Sequence, residues 1–431
     1  MAAEVTVLSA VRGAAETHVV LALGAPGSTA TVTRRCGDVV ELLAAAAAGA
    51  GTVAVVSGDL PGLDREAVAR LHAAGVRVVA LDDGHGRERL RALGADVVLD
   101  ATAAALEGAV ADAVREAAGA GGAMADPAPA DPGAEPPADD GARGRVVAVW
   151  GPGGAPGRTT AALEIAARLA GLASGPPRAG RRPGPGRGRP ADDAGGETLL
   201  VDADTYGSSL AMRLGLLDDA PGLAAACRAA GQGVLDVVAL ARLTPVVAPR
   251  LRVLTGLTRA ARWPEAPASA LEVVIEQARR LAEWTVVDTA SPIEADELLM
   301  YDTHAPQRNA ATLAALAAAD DVVVVGGADP VGVQRLVQAL EELREAPVPV
   351  PTPAVVVVNR ARAAAVGPRP EAAVREAMAR YAGVDDVVVV PDDPAVDGAL
   401  LAGRSLAEHA PGSPVRTAFA EVADRLRRAV A

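Results

Sequence analysis

The sequence predicts an α/β protein in which parallel sheets are covered by helices, laid out as two domains joined by a linker. Three observations predict it. β-Branched runs alternate with Ala- and Leu-rich stretches along most of the 431 residues. A Gly-rich loop over residues 151–160 stands between an apolar strand and an apolar-periodic helix. Several buried-type strands end in carboxylates, as strands do beside the ligand crevice of an open α/β sheet.

Composition narrows the class. Half of the residues are apolar but only 2% are aromatic, so Ala, Val and Leu must fill the core. The balance of 41 basic and 54 acidic residues leaves a net charge of −13, and every basic residue is Arg. An acidic chain without aromatic–basic clusters excludes a dedicated reader of nucleic-acid sequence. Two Cys exclude a disulfide framework and a Cys-based metal site, and they read as structural thiols. Residues 1–13 lack a charged start followed by an apolar core, and no stretch of ~20 apolar residues occurs, so the expected location is cytoplasmic.

Residues 1–118 carry five βα units. The strands fall at 5–10, 30–34, 52–57, 76–81 and 96–99, the helices at 14–23, 38–48, 64–74, 86–93 and 103–117. Residues 119–144 are Ala, Pro, Gly and Asp, the composition of a flexible linker. Residues 145–431 form the second domain, interrupted at 174–196 by a Pro/Gly-rich insertion carrying five Arg, which reads as a solvated loop.

The second domain opens on a strand at 145–150, and the loop Gly151-Pro152-Gly153-Gly154-Ala155-Pro156-Gly157-Arg158-Thr159-Thr160 leads into a helix at 161–172. This is a phosphate-loop arrangement. Gly151, Gly153, Gly154 and Gly157 let backbone N–H groups close around phosphate oxygens, Arg158 supplies the cation, Thr159 offers a hydroxyl to Mg²⁺, and Thr160 follows at the helix start. The pattern G-x-x-x-x-G-K-[ST] is met imperfectly, because its Lys is Arg158 and its first Gly is Pro152. Further strands are expected at 198–204, ending in Asp202 and Asp204, and at 284–289, ending in Asp288. Others fall at 251–254, 321–326, 354–359 and 386–390. Each lone acid also suits a helix N-cap.

These motifs carry two resemblances. Residues 1–118 resemble the flavodoxin-like receiver domain, but Ser9, Ala10, Ser57 and Asp100 stand where a receiver keeps its Mg²⁺ acids, its phosphorylated Asp and its Lys. The expectation is a phosphorylation-dead docking domain, with Asp59 two residues beyond the phosphoacceptor position. Residues 145–431 resemble the ParA/MinD deviant-Walker ATPases, whose fold is a P-loop NTPase doubly wound parallel sheet. The resemblance implies Mg-ATP as ligand, Asp204 with Asp202 nearby orienting the attacking water, and Asp288 assisting Mg²⁺ through water. It also implies an adenine site built from Asn359, Arg360 and the backbone of Pro391-Asp392-Asp393. A receiver-like domain in front specifically resembles the CpaE group of pilus-assembly proteins, implying a homodimer and partners from a pilus or secretion machine. Septum-site or chromosome positioning, or a non-enzymatic scaffold, are the alternatives. The family's deviant loop reads K-G-G-x-G-K-T; here its first Lys becomes Gly153, its second Gly becomes Ala155, and its helix-start Lys becomes Arg158. Backbone amides and Mg²⁺ would remain for binding, and Arg158 could partly substitute for the lost cation, or an Arg elsewhere, such as Arg308 or Arg404, could reach in. The apolar face at 415–430 resembles the membrane helix of MinD, but packing on the sheet is the favoured reading.

Overall fold

The computed structural model describes residues 5–25, 28–84, 86–121, 143–154, 157–172, 195–216, 222–295 and 306–429. Most of the expected linker and of the 174–196 insertion, and the loop residues Ala155 and Pro156, lie outside the described residues. The chain divides into two units, Met1–Asp140 with Ala229–Val234, and Gly141–Arg228 with Leu235–Ala431.

The first unit is a five-stranded parallel sheet of β1 (Val5–Ala10), β2 (Ala30–Arg35), β3 (Val53–Ser57), β4 (Arg77–Asp82) and β5 (Val97–Asp100). Its order, β2-β1-β3-β4-β5, is that of flavodoxin-like sheets. Val7, Leu8, Val53–Val56 and Val78–Ala80 are buried on both faces, which is why these strands read as unbroken apolar runs. Asp38 and Asp64 open their helices by accepting the backbone N–H of Glu41 and Ala67, each at 2.8 Å. The last helix runs Leu106–Gly121 rather than 103–117. Asp100 holds the preceding turn instead, accepting from the N–H and the hydroxyl of Thr102.

The second unit is an eight-stranded sheet. Its strands are β6 (Arg145–Trp150), β7 (Thr198–Ala203), β8 (Val246–Ala248), β9 (Leu251–Leu254), β10 (Trp284–Thr289), β11 (Asp321–Gly327), β12 (Val355–Ala361) and β13 (Val387–Pro391). The order is β13-β12-β11-β6-β10-β7-β9-β8, with only β8 antiparallel. This edge strand escapes sequence reading because it is three residues long and flanked by prolines. β6 lies centrally between β11 and β10, so the chain leaves it in one direction for β7 and later returns to its other side. Such a switch opens a crevice at the carboxyl ends of the strands.

The helix after β6 runs Arg158–Leu169, three residues earlier than the sequence pattern suggests. Gly157 adopts φ 97° and its carbonyl accepts the first helical bond from the Ala161 N–H, so the chain turns sharply into helix. Nine of its twelve residues are buried, including Ile165 and Leu169. The helix Pro414–Arg428 packs over it with Val415, Phe419, Val422 and Leu426 all inside. Burial of that apolar face in the core follows the packing reading of the C-terminal helix. No helix among the described residues is long and apolar enough to cross a membrane.

Glu164 sits inside this layer, 4% exposed, accepting the Leu406 N–H at 2.7 Å. Burial pushes its carboxyl up to about 7, partly opposed by that N–H. The native state therefore holds a proton that the unfolded chain releases above the ordinary 4.5. The stability tied to it is present below that value and lost as pH rises through about 7. Glu164→Gln keeps the acceptor oxygen and stays neutral, so it should stabilise the protein at pH 8 by up to about 3 kcal/mol and have little effect at pH 4. Thermal unfolding at the two pH values measures the difference, and an equal effect at both refutes the assignment.

Candidate functional site

The Gly-rich loop is shaped by close approaches. A side chain at Gly151 would strike the carbonyl of Val325 on β11, and one at Gly157 would strike the Asn359 amide. The hydroxyls of Thr159 and Thr160 enter the first turn of the helix that follows. Thr160 is buried and accepts a bond from the Arg213 guanidinium at 3.0 Å. Arg158 folds back over the loop, donating to the carbonyls of Gly151 at 2.9 Å and Pro152 at 3.4 Å, and its Nη2 lies 3.6 Å from Asp204 Oδ2. Gly153 and Gly154 are exposed on the rim.

The three carboxylates at the strand ends differ in what they are free to do. Asp202 is fully buried and committed to the backbone, accepting from the N–H groups of Ser209 and Leu210 at 3.0 Å and of Asp204 at 3.3 Å. It anchors the start of the short helix Leu210–Arg213, which is the N-cap role in another guise. Burial raises its pKa to about 6, with the N–H bonds pulling it back and Asp204 pushing it up. Asp204 uses Oδ1 on the N–H groups of Tyr206 and Gly207, leaving Oδ2 toward Arg158. Asp288 is paired with Asp202 across adjacent strands, and both its oxygens are buried without a well-formed hydrogen bond among the described residues. Burial first and Asp202 second raise its pKa well above the usual carboxylate range, while the nearby Thr159 hydroxyl opposes them. An orphaned buried carboxylate beside a hydroxyl is the kind of exception that asks for a missing partner.

A cavity of about 350 Å³ adjoins the loop at Gly157 and Thr160 and is walled by Asn359, Arg360, Pro391 and Asp393. The register of β12 shifts after Val358, leaving Asn359 buried and Arg360 exposed at φ 60°. A bulge of this kind re-aims side chains at a site. Asn359 Oδ1 accepts the Arg360 N–H at 2.9 Å. Asp393 spends its carboxylate on the Ala395 N–H and the Ser413 hydroxyl, so this loop offers the cavity its backbone.

Sequence reasoning missed Arg213, which looks like an ordinary cation closing a helical turn. It is the residue that charges the far side of Thr160, and burial lowers its pKa while Asp288 raises it. Of the two compensating arginines considered, Arg308 stacks on Tyr206 with its guanidinium carbon 3.5 Å from the ring centre. It also donates to the hydroxyl and carbonyl of Thr205, next to Asp204. Arg404 is exposed.

The first unit offers less at its own strand ends. Ser57 accepts the Arg12 N–H, Asp82 is buried and accepts the Gly86 N–H, and Asp59 is exposed. Ser9 and Ala10 are buried. Cys36 and Cys227 are both buried free thiols, and burial pushes Cys227 up to about 12.

No family model matches this sequence, and no curated protein does either. Solved structures do match. A ParA family ATPase from Chlorobium tepidum TLS superposes with a TM-score of 0.50 at 18% identity, over 65% of this chain and 98% of that one. The cell division ATPase MinD of Pyrococcus furiosus matches with a TM-score of 0.48 at 18% identity, over 66% and 99%. The septum site-determining protein MinD from Pyrococcus horikoshii OT3, complexed with Mg-ADP, matches with a TM-score of 0.46 at 17% identity, over 66% and 97%. At these identities the likeness speaks of architecture, and the architecture is an α/β fold with a P-loop NTPase sheet, shared with the ParA family ATPase.

Proposed function

We propose that the second unit binds Mg-ATP and is an ATPase of the ParA/MinD type. One observation carries the reading: the glycine cradle, the base-sized cavity and the orphaned Asp288 carboxylate converge on one helix N-terminus. The residues fit the group. Backbone N–H groups of the loop hold the phosphates, Thr160 with Arg213 faces the α-phosphate end, and Asn359, Arg360 and Pro391 hold the base. Thr159 and Asp288 would hold Mg²⁺, which neutralises phosphate charge when bound. Among the described residues no group of three or more His, Cys, Asp or Glu is arranged to hold a metal ion, so the ion would take its other ligands from phosphate and water. Asp204 positions the attacking water and Arg158 faces the transferring phosphoryl group. Turnover is slow, because a planar guanidinium already bonded to two loop carbonyls replaces a mobile ammonium.

The same reading extends to the cell. A flavodoxin-like unit in front of such an ATPase supports a CpaE-type role, in which the protein positions or assembles a pilus or secretion machine and the first unit docks partners without accepting phosphate. Septum-site positioning uses the same engine with other cargo. The binding reading is tested by thermal unfolding with millimolar Mg-ATP. At a ligand concentration ~100 times Kd the gain is about 2.7 kcal/mol. Thr159→Ala should remove most of the Mg²⁺-dependent part. A melting curve unmoved by Mg-ATP in the unvaried protein overturns the proposal.

A further inference from the structure

We propose that Arg335 recognises the terminal phosphate of the bound nucleotide and makes the site selective for triphosphate over diphosphate. The inference rests on the nucleotide-binding reading above. Arg335 belongs to the helix Pro330–Arg344, which follows β11. That helix is pinned against the strand end. Asp329 caps it through the N–H groups of Val331 and Gly332, Gly332 lies against Gly327, and Leu336 fills the space beside Gly326. The arrangement carries the Arg335 guanidinium over the loop, 3.3 Å from the Gly153 carbonyl and above Gly154, where a Cβ would meet it at 2.5 Å.

The two ends of the loop face different spaces. The base cavity touches it at Gly157 and Thr160, whereas an open groove of about 470 Å³ touches it at Pro152, Gly153 and Gly154. A nucleotide with its base in the cavity runs its phosphates along the loop toward that groove, so its last phosphate arrives under Arg335. Arg158 is already engaged with loop carbonyls and Asp204. Arg335 is exposed and, among the described residues, held by one long bond to a neutral oxygen, so it can exchange that bond for a charged one. A planar guanidinium makes paired bonds to a phosphoryl group. The diphosphate does not reach it.

The test is equilibrium titration of the full chain with Mg²⁺ and fluorescent ADP or a fluorescent, non-hydrolysable ATP analogue. Arg335→Ala should weaken the triphosphate ~10–100-fold and the diphosphate less than about threefold, with Arg335→Lys recovering part of the loss. The melting temperature without nucleotide should be unchanged, because the side chain is on the surface. Equal weakening of both nucleotides, or no change in either, overturns the role of Arg335 while leaving nucleotide binding intact. Binding of neither nucleotide to the unvaried protein overturns the site itself and this proposal with it.

Discussion

Asp204→Asn should lower ATP turnover by about 10²–10³-fold while leaving Mg-ATP affinity within a few-fold. Asp204 is the strand-end acid with an oxygen to spare. Oδ1 is occupied by the N–H groups of Tyr206 and Gly207, and Oδ2 faces Arg158 at 3.6 Å. Asparagine keeps an acceptor for the two N–H groups, so the loop keeps its shape. What it loses is the charge that we propose orients water beside the phosphoryl group. Alanine should behave differently. It strips the acceptor from both N–H groups, which costs about 1–3 kcal/mol of stability in addition to turnover. Phosphate release under single-turnover conditions, with thermal unfolding of both variants, separates the two effects. An Asn variant that hydrolyses ATP at the unvaried rate excludes Asp204 from the chemistry.

Asp288→Asn is expected to move stability and binding in opposite directions. The ordinary consequence of losing a buried side chain's charge is a less stable protein, but here burial and the neighbouring Asp202 outweigh the Thr159 hydroxyl and Arg158. Both oxygens are buried without a well-formed hydrogen bond, and Asp202 lies opposite on β7. Burial raises both carboxyls, with Asp204 adding to the rise of Asp202 to about 6 and Asp202 adding to the rise of Asp288 well above the usual carboxylate range. The sign follows from the upward direction. The native state binds protons that the unfolded chain has released, so the stability linked to this pair is present at low pH and lost as pH rises through about 6 and above. Asparagine removes one of the charges. At pH 8 the nucleotide-free variant should gain about 1–3 kcal/mol, or about 2–4 °C in melting temperature for each kcal/mol in a unit of this size. The gain should shrink toward pH 5. Mg²⁺-dependent stabilisation by ATP should fall at the same time, because the acid proposed to assist the ion is gone. An Asn variant that melts at or below the unvaried protein at pH 8, or that keeps its full Mg-ATP shift, contradicts this account. Stability given up at a site until a ligand restores it is a recurring trade in binding proteins.

Much of the architecture is written in local pattern. Runs such as Val322–Val325 and Val355–Val358 are apolar on both faces and can only be central parallel strands. Gly157 followed by Arg158 and two Thr marks a strand-to-helix turn, because a positive φ at that position favours glycine. Asp38, Asp64 and Asp329 announce helix starts through bonds to N–H groups two or three residues on. These features depend on neighbours in the chain, so composition and spacing determine them. Long-range placement does not follow the same logic. The Asp-x-Asp pair at 202 and 204 presents two similar acids, yet the fold commits one to the backbone of residues 209 and 210 and leaves the other facing Arg158. Asp288 is one more strand-end acid in the sequence, and only the pairing of β7 beside β10 sets it, buried, next to Asp202. Arg213, Arg308 and Arg335 are surface-type residues in helices or turns by every local criterion. Tertiary packing alone brings them to Thr160, to Thr205 and Tyr206, and to Gly153. The sequence by itself determined the central strands, the glycine loop and the order of the acids along the chain, but not the edge strand β8 or the end of β7 at Ala203, one residue before Asp204. Tertiary structure decided which of those charges are spent and which remain available, because desolvation and pairing depend on contacts that residues distant in the chain make only after folding.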